Sequence, residues 1–287
     1  MQTRLLGDTF KKLARKETLN IQIFSQEFTL PWGLLYIGDD PDNPEPEHFL
    51  GLKHVIEHIP LQPQMQVTDR AINTTKGIQV ALNVNKDIDD QMGQPIIQRQ
   101  IDEWQKLSQG NSNIRVEVRS DAVDVMTALN DGEAVDQILY FYCHAESYNL
   151  DEMDKGGADM SRLIMTGHED LTLRRMSRNR TSLAGQPLVF INACESAELS
   201  PEFYDGFVPY FVSKGARGVI GTECETPALF AEEWAKRFFP RFLAGQPLGQ
   251  IFLDLRREFY NNHNNIMGLL YALYVDGDTY VSNPLMS

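Results

Sequence analysis

Residues 78–84, IQVALNV, place apolar Ile78, Val80, Leu82 and Val84 at every second position, the period of a β-strand. IRVEV (114–118) alternates in the same way. ILYFY (138–142) and LVFI (188–191) are apolar throughout, as expected for strands of a parallel sheet covered on both faces. Between these segments the period becomes helical. Pro95 suits a first helical position, and Ile97, Ile101, Trp104 and Leu107 follow at helical spacing up to Gly110. Asp121 is placed to cap a short helix running to Leu129. RGVIGT (217–222) predicts another strand. Thr226 and Pro227 then open a helix carrying Leu229, Phe230, Trp234 and Phe238, which Pro240 kinks or ends. Pro247 opens a helix carrying Leu248, Ile251, Phe252, Leu255 and Phe259, and LLYALYV (269–275) is the last predicted strand.

Strands alternating with helices from residue 78 onward predict an α/β fold, three layers around a mainly parallel central sheet. Residues 1–77 read differently: a helix, then IQIFSQEFTLPWGLLYIG as one or two strands, an acidic Pro-rich loop and a short helix. They are expected as an N-terminal subdomain packed on a core of residues 78–287, within one compact domain.

The 287-residue chain has a formal net charge of −14, with acids concentrated in DDPDNPEPE (39–47), DIDD (87–90) and DEMDKGGAD (151–159). These runs read as solvated loops. Such a surface argues against nucleic acid and against an anionic membrane as direct partners. No run approaches the roughly 18 apolar residues of a membrane span, and MQTRLLGDTFKKLARKE lacks the unbroken apolar segment of a secretory signal, so a cytoplasmic location is the expectation. Three cysteines, Cys143, Cys194 and Cys224, without C-x-x-C spacing imply neither a disulfide framework nor a structural zinc site. No metal and no cofactor is expected.

In a sheet of this kind reactive groups collect at the carboxyl ends of strands. ILYFY delivers Cys143 and His144, and LVFINACESAE turns from apolar to acidic at Cys194. On neighbouring strands, an imidazole and a thiol at one edge meet the requirement of nucleophilic catalysis: a base to take the thiol proton and return it to the leaving group. They stand fifty residues apart, the interval found between the His and Cys of caspases. The intervening SRLIMTGHEDLTLRRM reads as a small β excursion about GHED. HVIEH (54–58) fits the H-x-x-E-H zinc motif, but Gly51 and Pro60 leave barely two helical turns, so it reads as a short exposed helix with incidental histidines. His168 and His263 read as surface residues. Glu223 and Glu225 follow the strand after Cys194, where an acidic wall would favour Lys or Arg before the cleaved bond; the alternative is that they face solvent. Tyr148, Trp234 and the 151–159 loop are candidates for the mouth, Gly156 and Gly157 making that loop a candidate mobile element.

HAES after one apolar strand, INACESAE after the next and the long stretch from SKGARGVIGTECETPALFAEEW to LRREFY resemble the CHAT family of caspase-like cysteine peptidases. LPWGLLYIG (30–38) is similar to the Pro-Trp-Glu-Leu-Leu stretch of that family, so the resemblance covers nearly the whole chain. It implies a caspase-like sandwich, Cys194 as nucleophile, His144 as general acid/base, and an oxyanion held by the N–H groups of Cys194 and Ala145. The family usually has Gly where Ala145 stands and a Trp soon after Gly-Thr, where this chain has TECETP. The resemblance further implies a cysteine endopeptidase acting on a protein substrate, such as a pore-forming or toxin protein, as a regulated effector in bacterial defence or cell death. An activating partner protein or a fused sensor domain is expected with it, in a partner chain or a larger parent protein. The alternative is a catalytically silent scaffold that binds protein partners, a reading that Ala145 favours and the retained His144 and Cys194 disfavour.

Overall fold

A computed structural model describes residues 12, 17–25, 30–61, 69–146, 148, 158–178, 181–193 and 203–285. The expected first helix, most of the 151–159 loop and Cys194 lie outside the described residues. In chain order the elements are β1 (Asn20–Ser25), α1 (Leu50–Lys53), β2 (Val55–Pro60), β3 (Ala71–Ile72), β4 (Ile78–Val84), α2 (Asp87–Met92), α3 (Ile96–Gly110), β5 (Ile114–Arg119), α4 (Ala122–Asn130) and β6 (Ile138–Glu146). There follow β7 (Arg162–Met165), β8 (Glu169–Thr172), α5 (Leu173–Ser177), β9 (Leu188–Ala193), α6 (Phe203–Ser213), β10 (Gly218–Thr222), α7 (Ala228–Leu243), α8 (Leu248–His263), β11 (Tyr271–Tyr274) and β12 (Tyr280–Val281).

The main sheet runs β1-β2-β11-β10-β9-β6-β4-β5, and β7 and β8 extend it as an antiparallel ribbon on the end of β6. All neighbours on the main path are parallel except β10 and β11. From β4 the chain moves outward to β5, returns to place β6 on the other side of β4, and then continues in the opposite direction to β9 and β10. The switch in direction therefore falls between β4 and β6, and a crevice opens at the carboxyl ends of strands that part in this way.

Alternation along the strands divides the core in two. Val80, Leu82, Tyr140, Tyr142 and Phe190 pack beneath α3, α7 and α8. Leu139, Phe141, Cys143, Val189 and Ile191 face α4 and α6. Asp121 caps α4 as its position predicts, its carboxylate accepting from the Asp124 N–H at 2.8 Å.

Several elements differ from their sequence patterns. β6 continues through Glu146 because β7 pairs with its last three residues, so His144 lies within a strand and not beyond it. Pro240 sits inside α7, which runs on to Leu243. Residues 267–270 form a 3-10 turn before β11, and Trp32–Leu34 is a 3-10 turn instead of a strand. The β excursion is present as β7 and β8, but Leu173 already begins α5. DIDD opens the helix α2 and is not a loop.

HVIEH is the largest departure. Val55–His58 open β2, directly after His54, and the segment is neither the short exposed helix nor the zinc helix: His54 and His58 are buried, with extended backbone at His54. Four residues of strand separate the two imidazoles by about 13 Å along the chain and turn Glu57 to the opposite face. The Nδ1 of His54 accepts from the Leu19 N–H at 3.1 Å, and Glu57 accepts from Gln22 at 2.8 Å. The short apolar run VIEHIP has strand length, and β1 and β11 on either side supply its partners. Among the described residues no group of three or more His, Cys, Asp or Glu is placed to hold a metal, and no helix is long and apolar enough to cross a membrane.

Candidate active site

The carboxyl ends of β6 and β9 are fixed by their register. Cys143 pairs with Ala193, the last pair of the two parallel strands; His144 follows Cys143 on β6, and Cys194 is the next residue in sequence after β9. β9 is held rigidly up to that point. Asn192, fully buried, accepts from the Tyr271 hydroxyl at 2.6 Å and donates to Tyr140 and to the Ala231 carbonyl, while Thr222 Oγ1 donates to the Ala193 carbonyl at 3.1 Å. Three neighbouring strands and α7 thus converge on the two residues that precede Cys194.

Across the switch, α2 brings a residue that sequence reasoning missed. The Nε2 of His144 lies 2.7 Å from Oε1 of Gln91. An amide carbonyl oxygen accepts, so with Gln91 Oε1 in this contact Nε2 is the donor and Nδ1 is the ring nitrogen on the other side. α2 is anchored for the purpose. Asn85 Oδ1 accepts from Asp87 N at 2.9 Å while its amide donates to the Ile164 carbonyl at 3.1 Å; Lys86 N donates to Thr166; and the Asp87 carboxylate accepts from Gly167 N at 2.7 Å. Asp89 accepts from the Ile97 and Gln98 N–H groups at the start of α3. The signal for α2 was present in DIDDQMG: three acids in a first turn, followed by Gly93 with φ 61° at the C-terminus.

Beyond His144 the strand carries a second polar cluster. Glu146 accepts from Arg162 at 2.5 and 2.9 Å and from the Tyr148 hydroxyl at 2.7 Å, and Arg162 also reaches Asp170 at 2.6 Å. Burial alone would raise the Glu146 carboxyl, but these hydrogen bonds and the Arg162 charge hold it below its ordinary value. Tyr148 is therefore tethered beside the strand end. Ala145 pairs with Leu163 and is not among the residues of positive φ, so an L-residue carries no strain there.

The other cysteines are poor nucleophiles. Burial pushes the Cys143 thiol up to about 12, and burial together with the Glu223 charge raises that of Cys224. Glu223 and Glu225 part company: Glu225 is exposed just past β10, whereas Glu223 is buried, turned inward to accept from the Tyr274 hydroxyl at 2.7 Å, with His58 Nδ1 3.7 Å away. The expected wall of two acids is thus reduced to Glu225 at the surface. Burial raises the Glu223 carboxyl to about 7 and lowers His58 to about 3, so near neutral pH the imidazole is uncharged and the contact is not an ion pair. Trp234, a candidate for the mouth, is fully buried and stacks on Tyr271 at 4.5 Å; it belongs to the core. His168 and His263 are exposed as expected.

The sequence pattern of the CHAT domain family matches residues 4–265. The chain belongs to the CHAT family. CHAT proteins are caspase-like peptidases, and the mainly parallel sheet with helices on both faces is that fold. A "Probable protease" of Vitiosangium sp. (strain GDMCC 1.1324) is 30% identical in an alignment 180 residues long that covers 56% of this chain and 22% of that protein. The match therefore spans about a fifth of that relative's length. Two crystal structures of the Saccharomyces cerevisiae separase–securin complex are similar over 79% of this chain and 14% of theirs, with TM-scores of 0.46 and 0.43 at 13% and 10% identity.

Proposed function

We propose that this CHAT chain is a cysteine endopeptidase in which Cys194 attacks the scissile carbonyl and His144 serves as general acid and base. One observation carries the reading: the β6–β9 register, which makes His144 and Cys194 successors of a paired Cys143 and Ala193 on the rigid edge beside the switch point. In the proposed sequence, Nδ1 of His144 takes the thiol proton, and the thiolate adds to the carbonyl carbon. The tetrahedral oxyanion is stabilised by the N–H groups of Cys194 and Ala145. The imidazolium then protonates the leaving amine; Nδ1 next takes a proton from the entering water as its oxygen adds to the acyl carbon, and gives that proton to sulfur as the carbon–sulfur bond breaks and the acid product leaves. Gln91 keeps the ring in the tautomer that this cycle needs, and Thr222 holds the carbonyl of the peptide whose N–H belongs to Cys194.

The substrate in this reading is a protein, and Glu225 favours a Lys or Arg before the cleaved bond, with Tyr148 at the wall. A regulated effector role in bacterial defence or cell death, with an activating partner or sensor domain and a pore-forming or toxin protein as target, is the part of the proposal that rests on family resemblance alone.

The test is selective alkylation. Iodoacetamide is expected to modify Cys194 faster than Cys143 or Cys224 at neutral pH, with the rate falling toward that of a free thiol in His144→Ala. Equal labelling of Cys194 in the two proteins would remove the dyad.

A further inference from the structure

At the opposite edge of the sheet, far from His144, the amino ends of the parallel strands form the floor of a concavity of about 630 Å³, within the range of small-molecule pockets. The strand registers place its floor in one row. Arg115 on β5 pairs with Gln79 on β4; Gln137, just before β6, donates its N–H to the Gln79 carbonyl; and Arg217, just before β10, donates its N–H to the Pro187 carbonyl at the start of β9. At about 4.8 Å per strand the row spans roughly 19 Å of backbone between the two arginines. The middle of the floor is preformed: the Gln137 side chain accepts from Gln79 N at 3.3 Å and donates to the Asn73 carbonyl at 2.7 Å.

The charge of this concavity is the reverse of the chain's. The whole protein carries 40 acids against 26 bases, yet among the described residues Lys76, Arg115 and Arg217 line the site and no acid does. Elsewhere arginines meet carboxylates, as Arg99 does Glu232, Arg162 does Glu146 and Arg237 does Glu258. Among the described residues Lys76 and Arg115 meet none. Asp136 and Glu117, the acids nearest in sequence to the floor, are both taken by Arg119 at 2.8 Å. Arg217 donates from Nη1 to the Asp69 main-chain oxygen, and its Nε is buried without a hydrogen-bond partner. With Asp136 and Glu117 engaged by Arg119, the hollow presents three cationic side chains along its floor to an anion that enters it. Val135, 60% exposed at the wall, offers an apolar surface beside them.

We propose that this concavity binds a phosphorylated small molecule of about nucleotide size, its phosphates on Lys76, Arg115 and Arg217 and its uncharged part over Gln79, Gln137 and Val135. The site does not depend on the peptidase reading, and its test needs no turnover.

The protein is titrated calorimetrically at low salt with ATP, ADP, adenosine, tripolyphosphate and a hexaglutamate peptide. One-to-one binding of ATP or ADP is expected, with adenosine and tripolyphosphate weaker by at least about tenfold and ATP affinity falling as salt is raised. The double variant Lys76→Glu/Arg115→Glu is expected to melt like the wild type and to bind ATP at least about tenfold more weakly. Lys76→Gln/Arg115→Gln gives the same reading if charge reversal disturbs folding. The proposal is overturned by the absence of saturable nucleotide binding at millimolar concentration, or by unchanged binding in a folded double variant. Tripolyphosphate binding as tightly as ATP, or hexaglutamate binding where nucleotides do not, overturns it as well.

Discussion

Gln91 Oε1 stands 2.7 Å from His144 Nε2, joining a helix after β4 to a strand on the far side of the switch point. Gln91 is exposed and contacts Nε2, whereas the proposed cycle exchanges its proton at Nδ1, so it acts through His144 as a positioning residue. Gln91→Ala is expected to lower kcat by about tenfold to a hundredfold with KM and melting temperature unchanged. Gln91→Glu should recover activity with the pH profile displaced upward, since a carboxylate at that nitrogen favours the imidazolium. Steady-state kinetics across pH decide this; an unchanged kcat in the Ala variant would remove Gln91 from the mechanism.

The buried Glu223 gives stability a distinctive pH dependence. Its carboxyl is raised from 4.5 to about 7 in the folded chain, chiefly by burial, so the folded state holds an extra proton between those values and stability falls as pH rises through that window. His58, lowered from 6.5 to about 3 by burial and by Arg256, acts in the opposite sense, adding stability as pH rises from about 3 to 6.5. Between about 4.5 and 6.5 the two oppose each other. Glu223→Gln, which still accepts from Tyr274, is expected to match the wild type at pH 5 and to exceed it at pH 8 by on the order of a few kcal/mol. Denaturant melts at the two pH values measure it; a difference that does not grow with pH would contradict the assignment.

Arg256 is the buried pin between the N-terminal residues and the sheet. Its guanidinium, fully enclosed and lowered to about 10 by burial, donates to the carbonyls of Gly51, Gly268 and Tyr271. Arg256→Met leaves three buried acceptors without donors and is expected to cost about 3–5 kcal/mol. Arg256→Lys recovers little, because an ammonium lacks the planar fork that reaches all three. Thermal unfolding of both variants checks this, and a loss under about 1 kcal/mol in either would contradict it.

Much of the architecture was legible in the chain because period and burial agree there. β4, β5, β6 and β9 carry the alternating or continuous apolar runs that a covered parallel sheet requires, and Asp121 sits where a cap must sit. His144 and Cys194 stood out in the sequence because the apolar runs ILYFY and LVFI lead up to them. What escaped was decided by tertiary partners. VIEHIP, overlapping the helical-looking HVIEH pattern, declares itself a strand only when β1 and β11 flank it, and Glu223 looks like a surface acid until Tyr274 and His58 close over it. Gln91 has no local signal at all; only the return of β6 to the side of β4 brings it to the imidazole.

The central claim is tested most directly by incubating the protein and its Cys194→Ala variant with a mixed peptide library and with proteins of the same cells, then mapping the cleaved bonds by mass spectrometry. Cleavage by the wild type, lost in the variant and concentrated after Lys or Arg, is the result expected. Cleavage that persists in Cys194→Ala would contradict the account.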